Sequence, residues 1–169
     1  MTTMHPCEHV ELDFLDAAPA RFRNSVDLAI TPDQAFSVLA DAESWPHWAS
    51  VITKVTWTSP EPHGVGTTRT VDMRGGIVGA ERFLAWEPGR RMAFRFEQSS
   101  TSSLEAFLED YLIEPTPQGC VLTWTLANRL GGVARRASFA TAPVMNLMFR
   151  RFLRNLRRYT DARFPVAGR

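Results

Sequence analysis

Glu109 and Tyr111 lie two residues apart in an alternating stretch, with Phe107 before them and Ile113 after. On a strand, residues i and i+2 share a face, so the carboxyl and the phenol stand side by side. The other phase, Ala106, Leu108, Asp110 and Leu112, is also apolar. We take the first phase as the inward one, because it brings two aromatic side chains to the core. A buried carboxyl without a partner has its pKa raised and suits general acid or base work. Enolisation or dehydration beside a carbonyl is the chemistry such a group serves, with Tyr111 or Arg69 polarising the oxygen. A carboxylate paired with Arg69 or Arg82 is instead a structural or ligand-orienting ion pair. Pairing is the favoured expectation, since buried charges are usually compensated.

Other phases add companions. Arg69 alternates in step with Val71 and Met73, and Asn128 with Trp124 and Leu126. If these phases turn inward, a guanidinium and an amide join the carboxyl and the phenol. Trp45, Trp48, Trp57, Trp86 and Trp124 are available as an aromatic wall, with Phe94, Phe96, Phe107, Phe149 and Phe152. Each alone reads as ordinary core, whereas the set reads as the lining of an apolar cavity. Met145 and Met148 suit an adaptable wall. The ligand-contact set thus holds Trp48, Val71, Met73, Arg82, Phe94, Phe96 and Phe107, with Trp124, Leu126, Asn128, Met145, Phe149 and Phe152.

Several chemistries find no support. His47 sits between tryptophans in a short helix and reads as a surface residue. His5, Cys7 and His9 alternate like metal ligands, but such sites draw a further ligand from elsewhere, and no metal is expected. Arg74-Gly75-Gly76 and Gly131-Gly132 do not lead from a strand into a helix as phosphate loops do. No nucleophile elbow or dinucleotide fingerprint occurs, and no cofactor is expected.

The elements that must position these groups are legible. Alternation marks a strand over 22–30. Thr31-Pro32-Asp33-Gln34 then opens a helix with a capping box and a first-turn proline. Ser44-Trp45-Pro46-His47-Trp48 opens a second short helix, with Ser44 as its cap. Further strands follow over 51–57, 66–73, 77–86, 92–96, 104–114 and 120–128, with hairpin turns at Gly75-Gly76 and Pro88-Gly89. Pro143 opens the last helix, whose Met145, Met148, Phe149, Phe152, Leu156 and Tyr159 share one stripe. From 143 to 163 that helix runs about 30 Å. Residues 1–20 read as an extension, with Val10, Leu12 and Phe14 alternating as a short accessory strand, and 165–169 as a tail.

A chain of 169 residues holds one domain with a full core. Its net charge of +1 conceals an uneven distribution, since Asp161 is the only acidic residue after Glu114 while arginines crowd that half. A solvated helix face is the plain reading of those arginines, and weak contact with anionic membrane surfaces the alternative. Nucleic acid is not an expected partner, because the aromatics alternate towards a core rather than among the basic residues. Cys7 and Cys120 lie far apart, which argues against a disulfide framework and fits a reducing cytoplasm. No apolar run approaches a membrane span, and the N-terminus lacks the pattern of a secretory signal. The sequence leaves the oligomeric state open.

The order of strand, two short helices, six strands and long helix resembles the helix-grip fold of the START-related superfamily. More closely, the chain resembles the bacterial SRPBCC group named for polyketide cyclases, dehydratases and lipid transport. The likeness rests on Ser44-Trp45-Pro46-His47-Trp48, Gly66-Thr67-Thr68-Arg69, Glu81-Arg82-Phe83-Leu84-Ala85-Trp86-Glu87-Pro88-Gly89-Arg90-Arg91 and Glu114-Pro115-Thr116-Pro117-Gln118-Gly119-Cys120-Val121-Leu122-Thr123-Trp124. These are turns and packing positions, so they mark a scaffold and carry no catalytic signature. The resemblance implies an α+β helix-grip domain over 21–164, with a curved seven-stranded antiparallel sheet around the C-terminal helix. It implies a mainly apolar internal cavity, and places an aliphatic residue inward at Ile113. It also implies a hydrophobic small-molecule ligand, a lipid or polyketide, or a cofactor-independent cyclisation or dehydration. Binding is the first expectation, the enzyme the second, and a peripheral membrane or interaction protein the third.

Overall fold

A computed structural model describes residues 2–165, so the tail beyond Pro165, with Arg169, lies outside the described residues. Its centre is one antiparallel sheet in the order β2-β8-β7-β6-β5-β4-β3, formed by β2 (Ala20–Leu28), β3 (Ile52–Trp57), β4 (Thr68–Met73), β5 (Ile77–Glu87), β6 (Arg91–Ser99), β7 (Leu104–Thr116) and β8 (Gly119–Leu130). These are the seven strands expected. Gly75 and Gly76 take φ of 81° and 76° in the β4–β5 turn, a conformation in which a side chain is strained.

The helices α2 (Pro32–Ala40) and α3 (Trp45–Trp48) follow β2. The capping box of α2 is present, with Gln34 N–H donating to Thr31 Oγ1 at 3.2 Å and Thr31 N–H to Gln34 Oε1 at 2.9 Å. Ser44 does not cap α3 with its side chain. Its hydroxyl is fully buried and donates to the Val38 carbonyl at 2.5 Å, which ties α3 to α2 instead.

Two expectations need correction. The last helix, α4 (Gly132–Arg163), begins well before Pro143 and carries that proline inside it. At 1.5 Å per residue it spans about 48 Å. Gly131 is its N-cap, with extended φ/ψ of −95° and 168°, so the Gly131-Gly132 pair, expected not to join a strand to a helix, leads directly from β8 into α4. Pro143 costs one backbone hydrogen bond without ending the helix.

The extension also differs. It forms β1 (His5–Pro6) and α1 (Phe14–Ala17) rather than a strand over Val10, Leu12 and Phe14, which makes an eighth strand. β6 and β7 pair only through Arg91–Arg95 and Leu108–Leu112. Beyond that the two strands part, and residues 5–8 fill the gap. His5 and Pro6 pair with Ser99 and Gln98, Cys7 N–H donates to the Glu97 carbonyl at 2.9 Å, and Glu8 N–H to Glu105 at 2.7 Å. Val10 and Phe14 are buried on the outer sheet face against Ala106, Leu108 and Ala127. The segment read as an extension is a docked strap.

Candidate functional site

The inner sheet face, α3 and α4 enclose a cavity of about 300 Å³. Strand alternation decides which side chains reach it. β4 sends Val71 and Met73, β6 sends Phe94 and Phe96, β7 sends Phe107, Glu109 and Tyr111, and β8 sends Trp124, Leu126 and Asn128. Trp45 and Trp48 come from α3, and Met145, Met148, Phe149 and Phe152 from α4. The rings interlock. Tyr111 stacks on Trp124 at 5.7 Å and 7°, Trp124 meets Phe149 edge-on at 4.8 Å, and Phe96 lies 4.2 Å from Phe107. The wall is therefore almost wholly apolar, which makes each polar group in it conspicuous.

Glu109 is the foremost of these. The Tyr111 hydroxyl donates to its Oε2 at 2.5 Å, and among the described residues no arginine pairs with it. Burial pushes the Glu109 carboxyl up to about 8, and the nearby Glu81 adds to the rise, against the Tyr111 hydrogen bond and the more distant Arg69. The Trp124 indole N–H also favours the charged form, but it lies outside hydrogen-bond geometry, so we count it as a neighbouring dipole. Burial and the adjacent Glu109 raise the Tyr111 phenol well above its usual range, which keeps it a proton donor in the hydrogen bond. At neutral pH the pair is a neutral acid held by a neutral phenol.

Arg69 is engaged elsewhere. It stands directly across from Glu81 in the β4–β5 ladder, and the two form an ion pair with both side chains almost fully buried. The guanidinium carbon lies 4.4 Å from the Trp45 ring centroid, 4.7 Å from Phe94, 5.0 Å from Phe83 and 5.7 Å from Trp57. A guanidinium is less strongly hydrated than an ammonium and stacks on aromatic faces, so this environment suits arginine specifically. Burial pushes the Glu81 carboxyl up, and Arg69 pulls it back. Glu81 borders the cavity while Arg69 sits behind the rings. The expected Arg69 or Arg82 partnership with Glu109 is thus corrected: Arg69 is taken by Glu81.

Arg82 follows Glu81 and so points to the opposite face. Its Nη1 donates to the Gly66 carbonyl at 2.9 Å and its Nε lies 3.3 Å from Glu97, away from the cavity. It leaves the ligand-contact set. Asp110, the rival of Glu109, is also on the outer face, where Arg91 Nε meets its Oδ1 at 2.7 Å. His47 is exposed and stacks on Tyr159 at 5.4 Å. His9 lies 3.4 Å from Glu97 and Cys7 is buried, and no metal-ligating cluster forms among the described residues.

Glu81 was missed by the sequence reading, although a signal for it exists. Cross-strand partners around the Gly75-Gly76 turn begin at Met73 and Ile77, and counting outward sets Arg69 opposite Glu81. Besides Arg69 Nη1, three buried polar atoms have no hydrogen-bond partner among the described residues: Trp48 Nε1, Trp124 Nε1 and Asn128 Oδ1. All three side chains border the cavity.

This architecture has known relatives. The family described as polyketide cyclase / dehydrase and lipid transport matches residues 19–161. The chain belongs to that family. An uncharacterized protein of Mycobacterium tuberculosis is 64% identical to this SRPBCC chain over 164 residues, covering 97% of it and 98% of the relative. A START superfamily protein from Mycobacterium smegmatis superposes with a TM-score of 0.62 at 14% identity, over 85% of this chain and 95% of that one. The di-domain ARO/CYC StfQ from the steffimycin biosynthetic pathway does so with a TM-score of 0.69 at 17% identity, over 86% of this chain and 52% of that one. At such identities the likeness is one of fold. The shared fold is the antiparallel sheet with the C-terminal helix described above. Among the described residues no helix is long and apolar enough to cross a membrane.

Proposed function

We propose that this SRPBCC protein binds a hydrophobic small molecule in the internal cavity and orients it through Glu109. The supporting observation is the Glu109 carboxyl in an aromatic enclosure, bonded to Tyr111 and without an ion pair among the described residues, whereas Glu81 is paired with Arg69. A protonated Glu109 offers a hydrogen to a ligand oxygen, and the unpartnered indole N–H groups of Trp48 and Trp124 offer two more. Donors predominate, so the ligand is an apolar skeleton carrying acceptor oxygens such as carbonyls. Leaving such donors unpaired in an apolar site costs free energy that a matching ligand recovers.

A second reading follows from the same carboxyl. A group with a pKa near 8 exchanges its proton readily at neutral pH, which suits a general acid or base in cyclisation or dehydration. Had Arg69 paired with Glu109, this reading would have weakened. Its engagement with Glu81 keeps the enzyme reading alongside the binder.

The deciding experiment is native mass spectrometry of the purified protein, with extraction of whatever co-purifies. Titration of that molecule, or of an apolar fluorescent probe, into the wild type and Glu109→Gln then separates the readings. A binder shows weaker or retuned affinity in the variant. An enzyme keeps affinity and loses turnover. No bound molecule, together with no probe binding that Phe149→Gln reduces, would end both.

A further inference from the structure

The early start of α4 exposes a surface that neither proposed reading uses. Ala140, Val144, Leu147, Arg151, Arg154 and Arg158 follow one another at spacings of four and three, which sets them on one line along the helix. Val133 extends the same line one heptad earlier. Every one of these residues is exposed, with Val133 at 84%, Val144 at 69% and Leu147 at 63%. The first half of the stripe is thus apolar and the second half cationic. No acidic residue occurs in α4 before Asp161. Arg151, Arg154 and Arg158 border a shallow depression with Asn155, and none of the three has an ion pair among the described residues.

The geometry points to an anionic lipid bilayer as the occupant of this stripe. Charge complementarity selects it. A second copy docked antiparallel would lay the arginines over Val133, Val144 and Leu147, burying guanidinium groups without carboxylates. A phospholipid surface meets both halves at once, with phosphates for the arginines and acyl chains for the apolar turns. The opposite stripe of the same helix carries Met145, Met148, Phe149 and Phe152, which line the cavity. A bilayer on the outer stripe therefore lies about one helix diameter, roughly 10 Å, from the ligand space. Docking there sets the protein where an apolar ligand is exchanged with a membrane.

The test is co-sedimentation of the full chain with vesicles of phosphatidylcholine, with and without phosphatidylglycerol. Binding is expected only to the anionic vesicles, and should be lost near 1 M salt, where the screening length is about 3 Å. Arg151→Gln, Arg154→Gln and Arg158→Gln together should lower partitioning roughly a hundredfold. Val144→Asp with Leu147→Asp should abolish it, while both variants keep the wild-type melting temperature and cavity probe binding. Absence of sedimentation with anionic vesicles at low salt overturns the proposal, as does equal binding by the variants. Self-association through the stripe, or binding to polyglutamate, without vesicle binding also overturns it in favour of a protein partner. Because cavity probe binding is measured separately, failure here leaves the ligand reading standing.

Discussion

The Tyr111 hydroxyl donates to Glu109 Oε2 at 2.5 Å along one face of β7, while the nearest buried guanidinium, Arg69, is committed to Glu81. Glu109 therefore holds its proton more tightly in the folded chain than in the unfolded one, near 8 against 4.5. Stability from this linkage is fully present below about pH 4.5 and is lost as pH rises through about 8. Wild-type stability should fall between about pH 4.5 and pH 8, and Glu109→Gln should remove part of that slope. The difference is on the order of a few kcal/mol. Urea unfolding across that range checks it, and identical slopes would show that the carboxyl is not held protonated. Glu81 and Asp110 are raised as well and titrate in both proteins, so the comparison isolates the part of the slope that depends on the Glu109 charge, its coupling to Glu81 included.

Arg69 and Glu81 compensate each other inside the aromatic wall, so their removal should be strongly non-additive. Arg69→Met leaves a buried carboxylate unpaired and should cost about 3–5 kcal/mol. Adding Glu81→Gln should recover much of that loss, since the charge and its partner then leave together. A double-mutant cycle by chemical denaturation measures the coupling. If the double variant is no more stable than Arg69→Met, contacts with Trp45, Phe94 and Phe83 hold the arginine rather than charge compensation.

The sequence made the seven main strands readable, because alternation and two glycine turns mark them, and the inward direction of Glu109 followed from preferring the phase that carries two aromatics. It left β7 ambiguous for a physical reason. Ala106 and Leu108 are apolar on the outer face because Val10 and Phe14 cover them, and nothing local to β7 announces a segment about a hundred residues away. The start of α4 was hidden by Pro143, whose ring is tolerated here inside a helix although it usually opens one. Buried carboxylates generally pair with a cation, which sets the expectation of an arginine partner for Glu109. The register that gives Arg69 to Glu81 had to be counted from the turn.

The strap makes its own prediction. Phe14 is 4% exposed and packs on a sheet face that would otherwise meet water. Phe14→Ala should destabilise the protein by about 3–5 kcal/mol, as for other large core truncations. Glu11→Ala removes the 2.5 Å bond to Arg95, yet its own side chain is 69% exposed, so its cost should be no more than about 1 kcal/mol. Thermal unfolding of the two variants separates docking by burial from docking by charge. A negligible effect of Phe14→Ala would show that burial of Phe14 does not hold the strap to the sheet.

Gly79 carries the last prediction, because it governs the shape of the cavity from outside it. A Cβ built there would stand 2.5 Å from two ring carbons of Phe96. Phe96 in turn packs on Phe107 at 4.2 Å, and both rings border the ligand space. Gly79→Ala must displace the Phe96 ring. Overpacking of this kind costs about 1–3 kcal/mol, offset in part by the backbone entropy that alanine saves. The larger effect should be on binding, with apolar probe affinity falling about tenfold, or about 1.4 kcal/mol, as Phe96 and Phe107 shift. Adding Phe96→Leu removes the clashing ring and should restore affinity for the probe. Fluorescence titration of the single and double variants decides the matter. Unchanged affinity in Gly79→Ala would mean that Phe96 yields without disturbing the cavity, and that the glycine matters only to the strand.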